Sequence, residues 1–591
     1  MIEAAPAETI RWYQRNKYPL MALARSGPAT LVDSPAFRQA LASEEEWYAT
    51  QRHEYQLVCE AWLEQGIQCL MLKTAGNYPS FPYNSDNIDV LVRPECGEAA
   101  RDILRRLGYV ELRNIEEPFK YLFRKFRAGR CVSAIHVHEH VAWEVVFVDQ
   151  QGLWSRMRPA DDDPFVNVPS PEDAILINLA HACYENKELR LNDLIRVRHA
   201  LHMSGEALDW AYMERVAAGR GWLDGLAFMT LVYASLEMRL FGTRSIAAGQ
   251  LARFERLIST DHAVCRRLAA LRSSPKLDLP LNLSYWFCKR LYYRKILADP
   301  ARGTAQRWYD VVFTLLAGIQ LKSNLRPQPG MVVSLSGTDG SGKTAQARAL
   351  VNALRVCGLQ VDYFWSRGGS SGTVGALNRW RRRLFGPGRH TAPDPDLNTT
   401  GDTQRDSITR RRQRLGRPIV RFAWAWLVAA DQVATYLLRV HLPALAGRIV
   451  IADRYVYDTA VEMDGSLPCA ARWSRLAIAA ILKATPRPRL AYVLDVPPCI
   501  ARQRKTDEVW HADMERERDQ YRALAQRLRL RLLSTDGEFA QANDRLIQEV
   551  MTAYMAGWET PLNALFLSNP SQKNAPDRVW LCRNRPEASG V

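Results

Sequence analysis

The stretch Met331 to Thr344 constrains what this 591-residue chain can fold into more than any other. Gly337-Thr338-Asp339-Gly340-Ser341-Gly342-Lys343-Thr344 satisfies the P-loop pattern G-x-x-x-x-G-K-S/T, and its surroundings are those the pattern needs. An apolar run from Met331 predicts a buried strand before it. After it, Ala347, Leu350, Val351 and Leu354 recur at helical spacing, with Gly358 placed to cap that helix. Strand, tight loop and helix in this order open a parallel sheet flanked by helices. Glycines let the backbone curl so that N–H groups face an anion, and the helix N-terminus adds partial positive charge. All eight residues from Gly337 to Thr344 are therefore expected to bind a nucleotide phosphate. Lys343 reaches the outer phosphates and the Thr344 hydroxyl is a ligand for Mg²⁺.

A chain of this length exceeds one hydrophobic core. Three zones are expected. Residues 1–205 mix helix and strand patterns, 206–327 form a helical, aromatic connector, and 328–558 alternate strands with helices. Pro327-Gln328-Pro329-Gly330 is the clearest linker, and 559–591 make a loosely ordered tail. A mobile insert is expected over about 369–417, because it is rich in Gly, Pro, Asp and Thr and carries no apolar period.

Charge narrows the function classes. Lys and Arg number 79 against 63 Asp and Glu, a net +16. Between Arg379 and Arg417, 11 Arg against 4 Asp give +7, nearly half of that excess. A local basic loop explains this better than a nucleic-acid-binding surface, so no nucleic-acid partner is expected. Eleven cysteines without a C-x-x-C pair imply neither disulfides nor a zinc site. Met1 to Arg25 lacks an apolar signal core, and no run is long enough for a transmembrane segment. The nearest run, Phe422 to Leu438, contains Asp431 and Gln432 and reads as a buried helix. A cytoplasmic location is expected.

Two further strands belong to the third zone. Arg448-Ile449-Val450-Ile451-Ala452 leads into Asp453-Arg454-Tyr455, and Leu490-Ala491-Tyr492-Val493-Leu494-Asp495 leads into Val496-Pro497-Pro498. A carboxylate at a strand's end beside the P-loop can orient Mg²⁺ or an attacking oxygen, and the adjacent arginine can grip phosphate. The set G-T-D-G-S-G-K-T, D-R-Y, L-D-V-P-P and R-K-x-D-E resembles the thymidylate kinase family of P-loop kinases over roughly 328–557. That resemblance implies ATP and Mg²⁺ as cofactors, with Lys343 and Thr344 on the phosphates and metal. It implies Asp453 as metal or nucleophile partner, Arg367 and Arg454 on the acceptor's phosphate, and Thr535-Asp536-Gly537 beside the adenine. The P-loop here has no arginine, so Arg504, Lys505, Arg516 and Arg518 are the lid candidates for positive charge. Two positions depart from the family: Val428 and Gln432 stand where it places an aromatic and an arginine against the base. A stacking surface of about 1–3 kcal/mol per base is absent there. The acceptor is therefore expected to be a nucleoside monophosphate or related small anion, not thymidylate in particular. The family resemblance also allows a homodimer, whose interface the large N-terminal half could block.

In the first zone, Gly66 to Lys73 reads as a strand, Asp86-Asn87-Ile88-Asp89-Val90-Leu91-Val92 as another, and Gly97 to Leu107 as a helix before Gly108-Tyr109. With Ile135-His136-Val137-His138, Trp143 and the helix opening at Pro171, this resembles an uncharacterised branch of the nucleotidyltransferases over roughly 45–205. That superfamily needs two carboxylates two apart on a strand and a third nearby to share Mg²⁺. Here Asn87 and His136 replace the first and third, Thr74 replaces a glycine, and only Asp89 stays. Asp86 should face away, and Glu139 or Glu144 are the compensating candidates. A degenerate binding domain is the expected outcome. His136, His138 and His140 alternate on one strand and raise a metal reading, set against a polar, partly exposed face. The basic aromatic run Ser284 to Lys295 reads as an amphipathic helix with Trp286, Leu291 and Tyr293 on its apolar side.

The expected fold class is thus multidomain α/β: a C-terminal P-loop NTPase with a parallel sheet and helices on both faces, an N-terminal α+β nucleotidyltransferase-like domain, and the connector. Three functions remain open. One is an ATP-dependent kinase; another is an ATP-binding regulator or assembly factor with a degenerate acceptor site. In the third, nucleotidyl transfer in the N-terminal domain is the working activity.

Overall fold

The computed structural model describes residues 6–112, 119–143, 145–274, 278–323, 329–365, 418–466, 472–504 and 514–557. Two compact units emerge, one from Met1–Lys125 and Val132–Leu325, the other from Arg326–Thr560 with Phe126–Cys131. The expected insert at 369–417 and tail at 559–591 lie outside the described residues.

The first unit is built on strands β1 (Cys69–Met71), β2 (Ile88–Val92), β3 (Val110–Leu112), β4 (Lys120–Arg127) and β5 (Arg130–His138), in the spatial order β1-β2-β5-β4-β3. β1 runs antiparallel to β2, and β2 parallel to β5. All five side chains of β2 are buried, as a central strand covered on both faces requires. The long helix Pro35–Glu64 is capped by the Ser34 hydroxyl, which accepts from the Phe37 amide. Near the helix's end, fully buried Trp62 donates its indole N–H to the Ala100 carbonyl. Short ladders join β6 (Val141–Trp143) to β7 (Val145–Val148), β8 (Arg158–Pro159) to β9 (Asn167–Val168), and β10 (Glu188–Leu189) to β11 (Leu281–Asn282).

The aromatic helices beyond residue 206 share one core with the earlier part of this unit. Leu226, Phe228 and Tyr233 of helix Leu223–Phe241 and Leu291 and Tyr292 of helix Tyr285–Ala298 join Leu70, Trp143, Phe147 and Ile175 in one buried cluster. Leu223–Phe241 buries residues all round its circumference, which its nearly continuous apolar text allows. One expectation fails locally. Trp286 is 78% exposed, and the buried face of its helix is carried by Cys288, Leu291, Tyr292 and Ile296.

The second unit holds a five-stranded parallel sheet: β12 (Met331–Gly337), β13 (Val361–Trp365), β14 (Ile449–Asp453), β15 (Leu490–Asp495) and β16 (Arg531–Ser534), ordered β13-β14-β12-β15-β16. β12 and β14 are buried throughout, and their text is a near-continuous apolar run, as parallel strands between two layers demand. Val332, Val450, Ala452 and Val493 pack with helices Pro418–Tyr436, Val456–Ser466, Arg472–Ala484 and Met514–Leu528. Helices Lys343–Val356 and Phe539–Gly557 pack against each other and take no part in that cluster. Strand alternation turns Val333, Leu335 and Ile451 to the other face of the sheet. The run Phe422 to Leu438 is not buried as a whole. Val428, Ala429 and Gln432 are inside, while Phe422, Leu427 and Leu438 are exposed among the described residues, so the helix is amphipathic. No helix among the described residues is long and apolar enough to cross a membrane.

The strand order sets the site. Chain order reverses around β12, which has β14 on one side and β15 on the other. A crevice at such a switch point, outside the strands' C-terminal ends, is where open α/β sheets place ligands.

Candidate functional site

The glycine loop occupies that crevice. Gly337 closes β12 with φ +145°, and a Cβ there would lie 2.5 Å from the Leu494 carbonyl oxygen of β15. Gly340 turns at φ +82°, where a Cβ would lie 2.8 Å from the Ala501 carbonyl oxygen. Both positions need a residue without a side chain, so the loop can lie this close to the sheet only because the sequence supplies glycine. Lys343 opens the following helix and is buried. Its ammonium donates to the carbonyls of Gly337 and Thr338, both at 2.7 Å, and lies 4.0 Å from Asp339 Oδ1. Burial and then the Arg454 guanidinium hold the Lys343 pKa below its ordinary value, with partial offset from Asp458, Asp339 and Asp453.

The parallel register of β12 with β14 sets Asp453 opposite Leu335, level with the start of the loop. Asp453 is fully buried. Its Oδ2 accepts from Thr344 Oγ1 at 2.7 Å and from the Tyr363 hydroxyl at 2.7 Å. Its Oδ1 has no hydrogen-bond partner among the described residues. A buried carboxylate oxygen is costly to leave unmatched, so the pair of Thr344 hydroxyl and Asp453 carboxylate has the donor chemistry of a hard divalent cation site. The next residue, Arg454, takes φ +82°, a strained value for a side-chain-bearing residue of the kind functional sites hold. Its Nη2 donates to Asp339 Oδ1 at 2.7 Å. Burial alone would lower the Arg454 pKa, but Asp458 and Asp339 outweigh it and raise it.

Three residues that sequence motifs do not single out complete the setting. Asp458 accepts from the Gly337 amide at 3.4 Å, the Tyr455 amide at 2.9 Å and the Tyr521 hydroxyl at 3.0 Å, tying the loop to helix Met514–Leu528. Tyr363 buttresses Asp453 from the middle of β13. Glu517, on Met514–Leu528, has its pKa raised to about 6 by burial and then by Asp339, against the pull of Lys343. Its position four residues before Tyr521 on one helix face was the available signal.

The lid candidates divide. Arg504 donates from Nη2 to the Thr535 carbonyl at 2.7 Å, and Thr535 Oγ1 donates to the Ser341 carbonyl at 3.1 Å, so Arg504 stands one residue removed from the loop. Arg518 and Arg522 both pair with Asp495, at 2.6 and 2.7 Å, and hold its carboxyl down to about 2. Arg516 is exposed. Arg367 and Lys505 lie outside the described residues. Val428 belongs to the core cluster with Tyr436 and Tyr455. Gln432 is fully buried, and neither its Nε2 nor its Oε1 has a hydrogen-bond partner among the described residues.

A second polar cluster lies inside the first unit. Asp89 of β2 sits directly across from His136 of β5 and is buried. Lys73 Nζ lies 2.7 Å from its Oδ2. His136 Nδ1 and His138 Nε2 approach its Oδ1 at 3.3 and 2.9 Å. Burial would raise the Asp89 pKa, but Lys73 and the two imidazoles bring it well below the usual carboxylate range. Burial pushes His138 down to about 4. The expected alternatives are engaged elsewhere: Asp86 pairs with Lys17 at 2.9 Å, and Glu139 with Arg101 at 3.7 Å. His140 stands apart, accepting from Gln150 Nε2 at 3.4 Å. Glu144 lies outside the described residues.

Two families of known proteins match this chain. Residues 22–236 match the family model described as an uncharacterised nucleotidyltransferase. The thymidylate kinase of Rhizorhabdus wittichii is 27% identical over 244 residues, 37% of this chain and 96% of that enzyme. Those of Dinoroseobacter shibae and Xylella fastidiosa are 32% and 29% identical over 178 residues each. These two alignments cover 29% and 30% of this chain, and 68% and 63% of the respective enzymes. The Dinoroseobacter shibae enzyme, 32% identical and covered over 68% of its length, shows that the chain belongs to the thymidylate kinase family, and residues 22–236 add a nucleotidyltransferase-like domain to the same chain.

Proposed function

We propose that this chain is an ATP-dependent phosphotransferase that moves the γ-phosphate of ATP to a nucleoside monophosphate or a related small anionic acceptor. The observation that carries the reading is the Thr344–Asp453 pair at the mouth of β12, with a buried carboxylate oxygen that has no hydrogen-bond partner among the described residues, near a buried lysine. In this reading the second unit is a P-loop NTPase domain. The backbone from Gly337 to Thr344 cradles the ATP phosphates, Lys343 leaves its loop carbonyls for the outer phosphate oxygens, and Thr344 and Asp453 hold Mg²⁺. Mg²⁺ held there neutralises charge on the phosphate oxygens. Arg454, oriented by Asp339, grips the acceptor's phosphate. Arg504, and Arg367 and Lys505 outside the described residues, are its proposed partners.

The acceptor's identity turns on Val428 and Gln432. Val428 is committed to the core, so it offers no stacking face, while Gln432 carries a buried amide whose hydrogen-bonding capacity is unused among the described residues. Such an amide favours a polar acceptor edge over a stacked thymine. Measuring Mg²⁺-dependent ADP release, without acceptor and then across monophosphates of nucleosides and sugars, tests this. Stimulation by one monophosphate supports the proposal. Tight ATP binding with no stimulation by any acceptor would leave the second reading, an ATP-binding regulator.

A further inference from the structure

We infer that Asp89, His136 and His138 form a binding site for a single borderline divalent cation of the Zn²⁺ type in the N-terminal unit, distinct in donor chemistry from a Mg²⁺ site. The three side chains come from two parallel neighbours, β2 and β5, in a register that sets Asp89 opposite His136. One oxygen of Asp89 and one ring nitrogen of each histidine lie within 4.8 Å of one another, and all three residues are buried. Asp89 Oδ1 stands 3.3 Å from His136 Nδ1 and 2.9 Å from His138 Nε2. A tetrahedral ion with bonds of about 2.0–2.1 Å has ligand-to-ligand edges of about 3.3 Å, so small side-chain shifts suffice to seat it.

The two oxygens of Asp89 are divided between tasks. Oδ2 faces the Lys73 ammonium at 2.7 Å, while Oδ1 faces both imidazoles. An ion bound through Oδ1 therefore leaves the lysine pair in place, where it fixes the carboxylate's orientation as outer partners of metal ligands do. In the absence of a cation, each imidazole presents an N–H to Oδ1. Binding moves that proton to the other ring nitrogen, so Nδ1 of His136 and Nε2 of His138 offer lone pairs and no net proton is released.

The substitutions that remove the Mg²⁺ chemistry create this one. A nucleotidyltransferase centre offers carboxylate oxygens to a hard cation, but here Asn87 and His136 occupy two of those positions, leaving one carboxylate and two imidazoles. Imidazole nitrogen suits Zn²⁺, Fe²⁺ or Cu²⁺ and is a poor ligand for Mg²⁺. Three protein ligands also leave a fourth position for water or an anionic oxygen.

Equilibrium dialysis of the purified full chain against Zn²⁺ in excess Mg²⁺, read by elemental analysis, tests the site. One equivalent of zinc should be retained, and retention should weaken about 100-fold in His138→Ala and in Asp89→Asn. Absence of retained zinc, displacement by Mg²⁺, or retention in both variants as tight as in the unaltered chain overturns the inference. As a measurement independent of variant folding, Co²⁺ added to the unaltered chain should give visible ligand-field bands of a low-coordinate nitrogen and oxygen site. A sulfur-to-cobalt charge-transfer band in their place would assign the ion to cysteine, and no bands would remove the site.

Discussion

Asp453 and Asp89 occupy comparable stations in two different sheets, and their surroundings have diverged. Each lies on an interior strand paired in parallel with a neighbour, and each is buried. Asp453 receives two hydroxyls on one oxygen, from Thr344 and Tyr363, and keeps the other without a hydrogen-bond partner among the described residues. Asp89 receives an ammonium on one oxygen and two imidazoles on the other. Neutral hydroxyl partners leave the Asp453 carboxylate's charge available to a hard cation. Around Asp89 that charge is balanced already, and the nitrogen donors favour a softer ion. Position in the fold therefore does not fix a carboxylate's chemistry; its first neighbours do.

The contrast can be broken most forcefully at Lys343. Lys343→Ala is expected to lower ADP formation by on the order of 10²–10³-fold, since it removes the main positive charge on the transferring phosphate. Circular dichroism should be unchanged, and residual activity near that of the unaltered chain would contradict the assigned site. Next in size, Asp453→Asn should cost on the order of 10²-fold in kcat and raise the Mg²⁺ concentration needed for half-maximal rate. A variant with an unaltered Mg²⁺ requirement would show that Asp453 serves only to anchor Thr344 and Tyr363. Arg454→Lys should act mainly on the acceptor, raising its KM about tenfold with little change in the KM for ATP, because the bidentate fork is lost while the charge stays. Equal effects on both substrates would move Arg454 out of the acceptor site.

The smallest effect concerns Glu517. Its carboxyl pKa is raised to about 6 in the folded chain, chiefly by burial and then by Asp339. A carboxyl with a raised folded pKa contributes stability that is complete below its unfolded value of 4.5 and is lost as pH rises through about 6. Glu517→Gln should therefore match the unaltered chain near pH 4 and exceed it at pH 7.5, by about 1 kcal/mol after allowance for solvent screening. Urea unfolding at the two pH values checks this, and a gap that is widest at low pH would reverse the sign and refute it.

The glycine loop was legible because its chemistry is contiguous: eight successive residues specify the turn, the buried lysine and the hydroxyl. The strand text around Val450 and Val493 was legible for the same reason, since strands of a buried parallel sheet read as unbroken apolar runs. That Thr344 would meet Asp453, 109 residues on, required strand order as well as strand identity. Tyr363, Asp458 and Glu517 escaped notice because each reaches the loop's surroundings from a separate element and none belongs to a motif of its own. The three alternating histidines suggested a metal, but only the lateral register of β2 against β5 supplies Asp89 as partner and leaves His140 out. Trp286 shows the complementary limit. Helical period alone cannot tell which aromatic of Tyr285, Trp286, Tyr292 and Tyr293 faces inward; neighbouring helices decide.

The central claim is that the Thr344–Asp453 crevice performs phosphoryl transfer from ATP. Its most direct test uses ATP labelled in the γ-phosphate, incubated with the full chain, Mg²⁺ and a set of monophosphate acceptors, with Lys343→Ala as the paired control. The account predicts label in one acceptor, in equal amount to the ADP formed, and none with the variant. Label released only as inorganic phosphate, or transfer that survives in Lys343→Ala, would contradict it.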